Sequence, residues 1–219
     1  MRKPIVTGAF MVAALASSTA QASEKDIAIA KCSAQHGTIA VTDGDTQGWT
    51  KFGLGSPRDL LGAMVRESNC FNVHDPASGK PADYLMSAIA GDKAVVLQGM
   101  NVARAALTEG ALRSGALGAV PGLGAAMGMF NGFGGKKKIV AAGLRVLSPA
   151  TGLTLLVGQG EASKSQLTWG DWSSGGSGTL GQYTSSKDGK LLSGAFAEAY
   201  NQIVAQAGTL PAPATAPAK

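Results

Sequence analysis

The stretch "GTIAVTDGDTQGWTKFGLGSPRDLLGAMVRESNCFNVHD", residues 37–75, decides how the rest of the chain is read. Its first seven residues, Gly37 to Asp43, are rich in β-branched side chains and are ended by the turn signal Asp43-Gly44-Asp45, so they read as a buried strand. A glycine-bounded loop over 44–55 carries two aromatics, Trp49 and Phe52. Ser56 and Pro57 then spell a helix start, serine as the cap and proline at the first helical position, with Asp59 near the positive end of the helix dipole. Leu60, Leu61, Met64 and Val65 share one helical face, and Asn69 ends the helix. "CFNVH" reads as a second strand with Phe71 and Val73 turned inward. Strand, helix, strand over about 40 residues is a βαβ unit, with the two strands expected parallel and the crossover right-handed.

Working outward, residues 24–35 read as a short helix packed against this unit. Downstream, "ADYLMSAIA" begins a third strand, "AVVLQGM" is a further apolar run, and "MNVARAALTEGALRSG" reads as a short helix. A hairpin is clear in "KKIVAAGLRVL", the turn "SPATG", and "LTLLVGQGEA". Val140, Ala142, Leu144 and Val146 point one way there, with Arg145 on the other face. "QLTWGDWSSGGSGTLGQY" has no settled period. Leu191/Leu192, Ala195/Phe196, Ala199/Tyr200, Ile203/Val204 and Ala207 recur every four residues and define an amphipathic helix. The expected fold is therefore α/β in the broad (α+β) sense, a mixed β-sheet with flanking helices. One domain is expected over 23–208, with a glycine-rich insertion at about 110–135, and a Pro/Ala tail over 209–219 expected to be extended.

The N-terminus and the composition bear on where the protein works. "MRK" is a short basic start, "PIVTGAFMVAALA" an apolar core, and Ala20-Gln21-Ala22 a small-x-small cleavage pattern, so residues 1–22 read as a signal peptide. No cysteine directly follows the apolar core, so the expectation is an exported protein without a lipid anchor, periplasmic or associated with the outer membrane. Cleavage removes Arg2 and Lys3, taking 19 basic residues to 17 against 14 acids and the net charge from +5 to +3. That mild charge, with Lys136, Lys137 and Lys138 as the one basic cluster, argues against a nucleic-acid partner. The 31 glycines are about twice the ordinary ~7% share, concentrated at 110–135 and 170–189.

Both cysteines are followed four residues later by a histidine, Cys32 by His36 and Cys70 by His74, and these are the only cysteines and histidines. A tetrahedral zinc site has that composition. If "CFNVH" is a strand, however, Cys70 and His74 lie about 13 Å apart, whereas zinc needs its donors within about 2.3 Å. In an oxidising compartment a lone pair of cysteines is read more simply as a disulfide, Cys32 to Cys70. No nucleophile elbow of the Gly-x-Ser-x-Gly kind is present, and the carboxylates are scattered among loops, so no catalytic residue is assigned. "GLGAAMG" is one residue too long for a dinucleotide fingerprint, and Phe130 and Lys137 stand where a phosphate loop needs glycine and serine or threonine. No cofactor is implied.

No charged residue occurs between Ser114 and Gly135, and Gly118/Gly122, Gly124/Gly128 and Gly128/Gly132 are spaced G-x-x-x-G, which lets helices approach closely in lipid. Three readings stay open for that segment: a membrane helix, a membrane-associated hairpin or oligomer contact, and a mobile apolar loop. Trp49 and Phe52 likewise have two readings, as anchors of their loop in the core or as contacts to a partner.

Taken in order, "GTIAVTD", "SPRDLLGAMVRESNCFNVHD", "ADYLM", "GLRVLSPATG" and "AFAEAYNQIV" resemble the CsgG-like family of curli-secretion and related outer-membrane proteins, over nearly the whole mature chain. The resemblance implies a periplasmic α/β domain whose protomers assemble into a ring, two β-hairpins per protomer building an outer-membrane barrel. By position, the pore constriction falls on 44–55 with Trp49 and Phe52 facing the passage, and the membrane hairpins fall near 105–138 and 163–189. The chain departs from the family where His74-Asp75 replaces an Arg-Gly, where the constriction asparagine has no counterpart, and where neither hairpin segment alternates cleanly. The expected function is that of a non-enzymatic component of outer-membrane secretion or surface attachment of the curli type. Its partners would be further copies of itself, a secreted polypeptide cargo, or outer-membrane and periplasmic proteins. A monomeric periplasmic binding or structural module on the same fold is the alternative.

Overall fold

The structure, a computed structural model, describes residues 27–114, 140–162 and 179–211. Its centre is a five-stranded mixed sheet in the order β2-β1-β3-β4-β5. Strand β1 is Thr38–Gln47, β2 Asn72–Val73, β3 Tyr84–Asp92, β4 Val140–Leu147 and β5 Thr154–Ala162. β1 runs parallel to both β2 and β3, whereas β3, β4 and β5 form an antiparallel run. The helices are α1 Arg58–Ser68, α2 Lys93–Ser114, α3 Thr179–Ser185 and α4 Lys187–Gln206.

The expected β1–α1–β2 unit is present with its strands parallel. Leu60, Leu61, Met64 and Val65 of α1 are all fully buried. Asn69 ends that helix at φ 55°, the left-handed position that asparagine tolerates better than most residues. The helix starts one residue later than expected, at Arg58, with Ser56 Oγ accepting from the Arg58 amide at 3.3 Å. β1 is longer than expected and does not turn at Asp43-Gly44-Asp45. It continues to Gln47 with a register shift between Asp43 and Gln47. Gly44 serves close approach here, since a Cβ on it would press on the Ala88 carbonyl of β3.

β2 is shorter than expected. Phe71 is buried as anticipated, but Val73 is 38% exposed because only Asn72 and Val73 join the sheet, as its edge. The segment ahead of β1 also departs from expectation: among the described residues, 27–37 is an extended strap and not a helix. Its backbone is bonded to distant groups, the Ala30 amide to Asn201 Oδ1 at 2.8 Å and the Cys32 amide to the Ser68 carbonyl at 2.9 Å. A helix would need those amides for itself. Ile27 and Ile29 alternate with exposed Ala28 and Ala30, the period of an extended chain. The apolar run at 94–100 and the helix expected after it are one 22-residue helix, α2.

Two cores result. On one face of the sheet, Ile39, Tyr84, Met86, Ala88, Val140, Ala142, Leu144 and Val146 pack against α1, α3 and α4. On the other, Ile89, Ala141 and Val157 meet Val96, Met100 and Ala103 of α2. α4 lies unusually close to β5. A Cβ at Gly158 or Gly160 would run into the carbonyl oxygens of Ala199 and Ala195, so the glycines of "VGQGEA" and the alanines of α4 together admit a backbone-to-backbone approach.

The edge strand β5 is covered by the same helix. Glu198 Oε2 accepts from the Glu161 amide at 2.9 Å, and Gln202 Oε1 from the Gln159 amide at 3.0 Å. Gln202 Nε2 donates to the Gln159 carbonyl at 2.7 Å and Gln206 Nε2 to the Val157 carbonyl at 2.9 Å. Three side chains one helical turn apart thus occupy the outward groups that an edge strand otherwise leaves for another strand.

Candidate functional site: the cystine and the aromatic turn

Cys32 and Cys70 form a disulfide, with their Cα atoms 4.9 Å apart and a sequence separation of 38. The strap delivers Cys32, and the left-handed turn at Asn69 delivers Cys70 from the end of α1. A small polar knot surrounds Cys70. The Ser68 hydroxyl accepts from the Cys70 amide at 3.1 Å and shares a hydrogen bond with the Tyr200 hydroxyl at 2.7 Å. Burial pushes the Tyr200 phenol up to about 12, with the Ser68 hydrogen bond opposing the rise. Outside the knot, Lys31 and Glu67 pair at 3.0 Å beside the cystine.

The two histidines do not converge on the sulfurs as ligands. His36 lies against Phe71 with ring centroids 6.1 Å apart and donates its backbone amide to the Cys70 carbonyl. His74 donates its amide to the Ile39 carbonyl, extending the β1–β2 ladder. Because the thiols are consumed in the cystine, the four-ligand zinc arrangement does not form. Among the described residues no cluster of three or more His, Cys, Asp or Glu is placed to hold a metal ion.

The segment given the constriction role is, from Gly48 to Phe52, a turn of 3₁₀ helix following directly on β1. The Leu54 amide bonds the Trp49 carbonyl at 3.1 Å, the Gly53 amide bonds the Thr50 carbonyl at 3.0 Å, and Thr50 Oγ1 bonds the Gln47 carbonyl at 2.9 Å. Trp49 is 2% exposed and belongs to the main core, against which Phe52 packs half-buried. Thr50 and Lys51 are what the turn shows to solvent. α3 fastens its far end: Tyr183 donates its hydroxyl to the Gly55 carbonyl at 2.7 Å, and the Gly55 amide donates to Gln182 Oε1 at 2.9 Å. Burial and then the nearby Asp43 carboxylate raise the Tyr183 phenol well above its ordinary range. Asp43 itself accepts from Ser56 Oγ at 2.6 Å and from Arg58 at 2.9 Å, tying β1 to the start of α1.

Gly118, Gly122, Gly124, Gly128 and Gly132 lie outside the described residues, as do 1–26, 115–139, 163–178 and 212–219. The described ends of the two segments assigned to membrane hairpins, 105–114 and 179–189, are helical apart from a bend at Ser186. No helix among the described residues is long and apolar enough to cross a membrane. The start of the expected tail is held in place: Leu210 packs on the main core, and the Tyr84 hydroxyl donates to the Pro211 carbonyl at 2.5 Å.

Two polar features were not singled out from the sequence. One is the Glu198, Gln202, Gln206 series over β5. Its signal is a polar residue every fourth position beside the apolar stripe of α4. The other is a set of donors on the α2 side of the sheet, Arg104, Arg145 and Gln159, of which only Arg145 has a visible signal, a charge within an alternating strand.

Together the fold and the cystine define a disulfide-tied α+β domain built on a mixed sheet. The chain matches no protein-family model, no curated protein and no solved structure.

Proposed function

We propose that the protein is an exported, non-enzymatic component of outer-membrane secretion or surface attachment, resembling the CsgG-like proteins and working as an oligomer, with a secreted polypeptide or an outer-membrane protein as partner. The observation that carries the export half of this reading is the Cys32–Cys70 cystine, since such cross-links persist in oxidising compartments. The signal-like N-terminus supports it independently. The parallel β1–α1–β2 unit, the β4–β5 hairpin and the final amphipathic helix keep the order on which the resemblance rests.

A second reading, a monomeric periplasmic module without a pore, is favoured by the burial of Trp49, which leaves that ring no surface to offer a passage. Fractionation followed by sizing in detergent separates the two. The oligomeric reading expects the mature protein in the outer-membrane fraction as a multimer released only by detergent. Recovery as a monomer in the osmotic-shock fluid would remove the pore and leave the module.

A further inference from the structure

On the α2 side of the sheet, register places a compact set of side chains in rows. Leu85 lies opposite Leu147, and Ser87 opposite Arg145, which is in turn opposite Val157. One step further, Gly143 lies opposite Gln159, making Arg145 and Gln159 diagonal neighbours on one face, within reach of long side chains. Gln159 is fully buried, and its Nε2 has no hydrogen-bond partner. Its Oε1 is engaged by Arg104 at 3.2 Å, which fixes the amide with its donor end unused. Arg145 Nε is likewise buried without a partner. The same guanidinium has only long contacts elsewhere, 3.4 Å to Ser87 Oγ and 3.7 Å to an Asp45 that is 88% exposed.

Buried donors without acceptors are costly, each about 1–3 kcal/mol, and native proteins retain few of them. We propose that Arg145 and Gln159 form a binding site for a monocarboxylate carrying an apolar chain. Two N–H donors on planar groups suit the two oxygens of a planar carboxylate. Glu161, on the same strand as Gln159, pairs with Lys93 at 3.0 Å through one carboxylate oxygen, and its other oxygen is buried without a partner. The half-buried Leu85 and Leu147 lie one row beyond Arg145 and supply the surface for the apolar chain.

The test uses the mature full-length protein in a carboxylate-free buffer, with octanoate as the probe and 1-octanol as its uncharged match, read by titration calorimetry and thermal melting. Octanoate should bind saturably and raise the melting temperature, and octanol should bind about tenfold or more weakly. Arg145→Met and Gln159→Met should each lose about tenfold in octanoate affinity; Arg145→Met should melt no lower than the parent, because it removes an unpartnered donor, whereas Gln159→Met also removes the acceptor used by Arg104 and is read by affinity alone. Arg145→Lys, which keeps the charge but not the planar donor, should bind like Arg145→Met. Equal binding of octanoate and octanol, no octanoate binding at millimolar concentration, or unchanged affinity in Arg145→Met would overturn the proposal. The comparison of the two probes on the unmutated protein decides the matter even if a variant fails to fold.

Discussion

At the scale of single residues, Trp49 shows what the sequence conveys and what it withholds. Two aromatics between glycines announce that the segment matters, but their neighbours come from β3 and α4, far along the chain, and no local pattern names them. Burial at 2% exposure makes the ring an anchor, so Trp49→Ala should cost about 3–5 kcal/mol and lower the melting temperature sharply by calorimetry. An unchanged melting temperature would contradict the packing. Tyr200 gives a pH prediction. Its phenol is pushed up to about 12 in the folded protein, whereas an unfolded tyrosine titrates near ~10. Above the unfolded value the unfolded chain loses its proton first, so stability present below pH ~10 is lost as the pH rises towards 12. Denaturant melts across that range should show the decline, and Tyr200→Phe should make it shallower, the remainder coming from the other phenols that burial raises, Tyr183 above all. The cystine was legible because two cysteines and a signal-like leader leave one simple pairing. Its polar knot was not, since Ser68 and Tyr200 are 132 residues apart.

At the scale of elements, periodicity carried α1, the β4–β5 hairpin and α4, although the hairpin is buried on both faces and α4 is buried all round from Leu191 to Ala197. It misled where a local signal had a different tertiary use. Asp43-Gly44-Asp45 has turn composition, yet β3 lies alongside and the glycine serves close packing. The strap is misread as a helix because its alanines and lysines are good helix formers, although Ile27 and Ile29 alternate with exposed alanines as in an extended chain. The cover on β5 leads to a further prediction. Replacing Gln202 with alanine leaves the Gln159 amide and carbonyl without their partners, so amide exchange at Gln159 should speed up with little change at Leu144 in the adjacent strand. Gly158→Val is expected to be more severe, because Ala199 of α4 is where the new side chain would go. Circular dichroism should show loss of cooperative melting, and retention of native stability would refute the close approach.

For the molecule as a whole, the two borders of the sheet are unequal. β5 is occupied by α4, whereas β2 covers β1 only at Thr38 and Ile39. A ring made by continuing each sheet into the next would require the β5 border to accept a strand, and there the outward groups are already bonded. Assembly of the proposed oligomer should therefore use the β1–β2 side and not the α4–β5 side. Cysteines introduced at Thr46 should cross-link neighbouring copies more readily than cysteines introduced at Lys190 on α4. Preferential cross-linking through Lys190 would reverse that assignment.

The position of the cystine also bears on how the chain matures. Cys32 and Cys70 enclose β1 and α1 entirely, so the covalent loop is a self-contained block within the first third of the sequence. A chain delivered N-terminus first presents both sulfurs before β3, β4 or β5 arrives. With two cysteines in the whole sequence, only one intramolecular bond exists to be made. On the proposed export route an oxidant alone would suffice, no reshuffling enzyme would have an intramolecular mispairing to correct, and the later strands would meet a template that can already be closed.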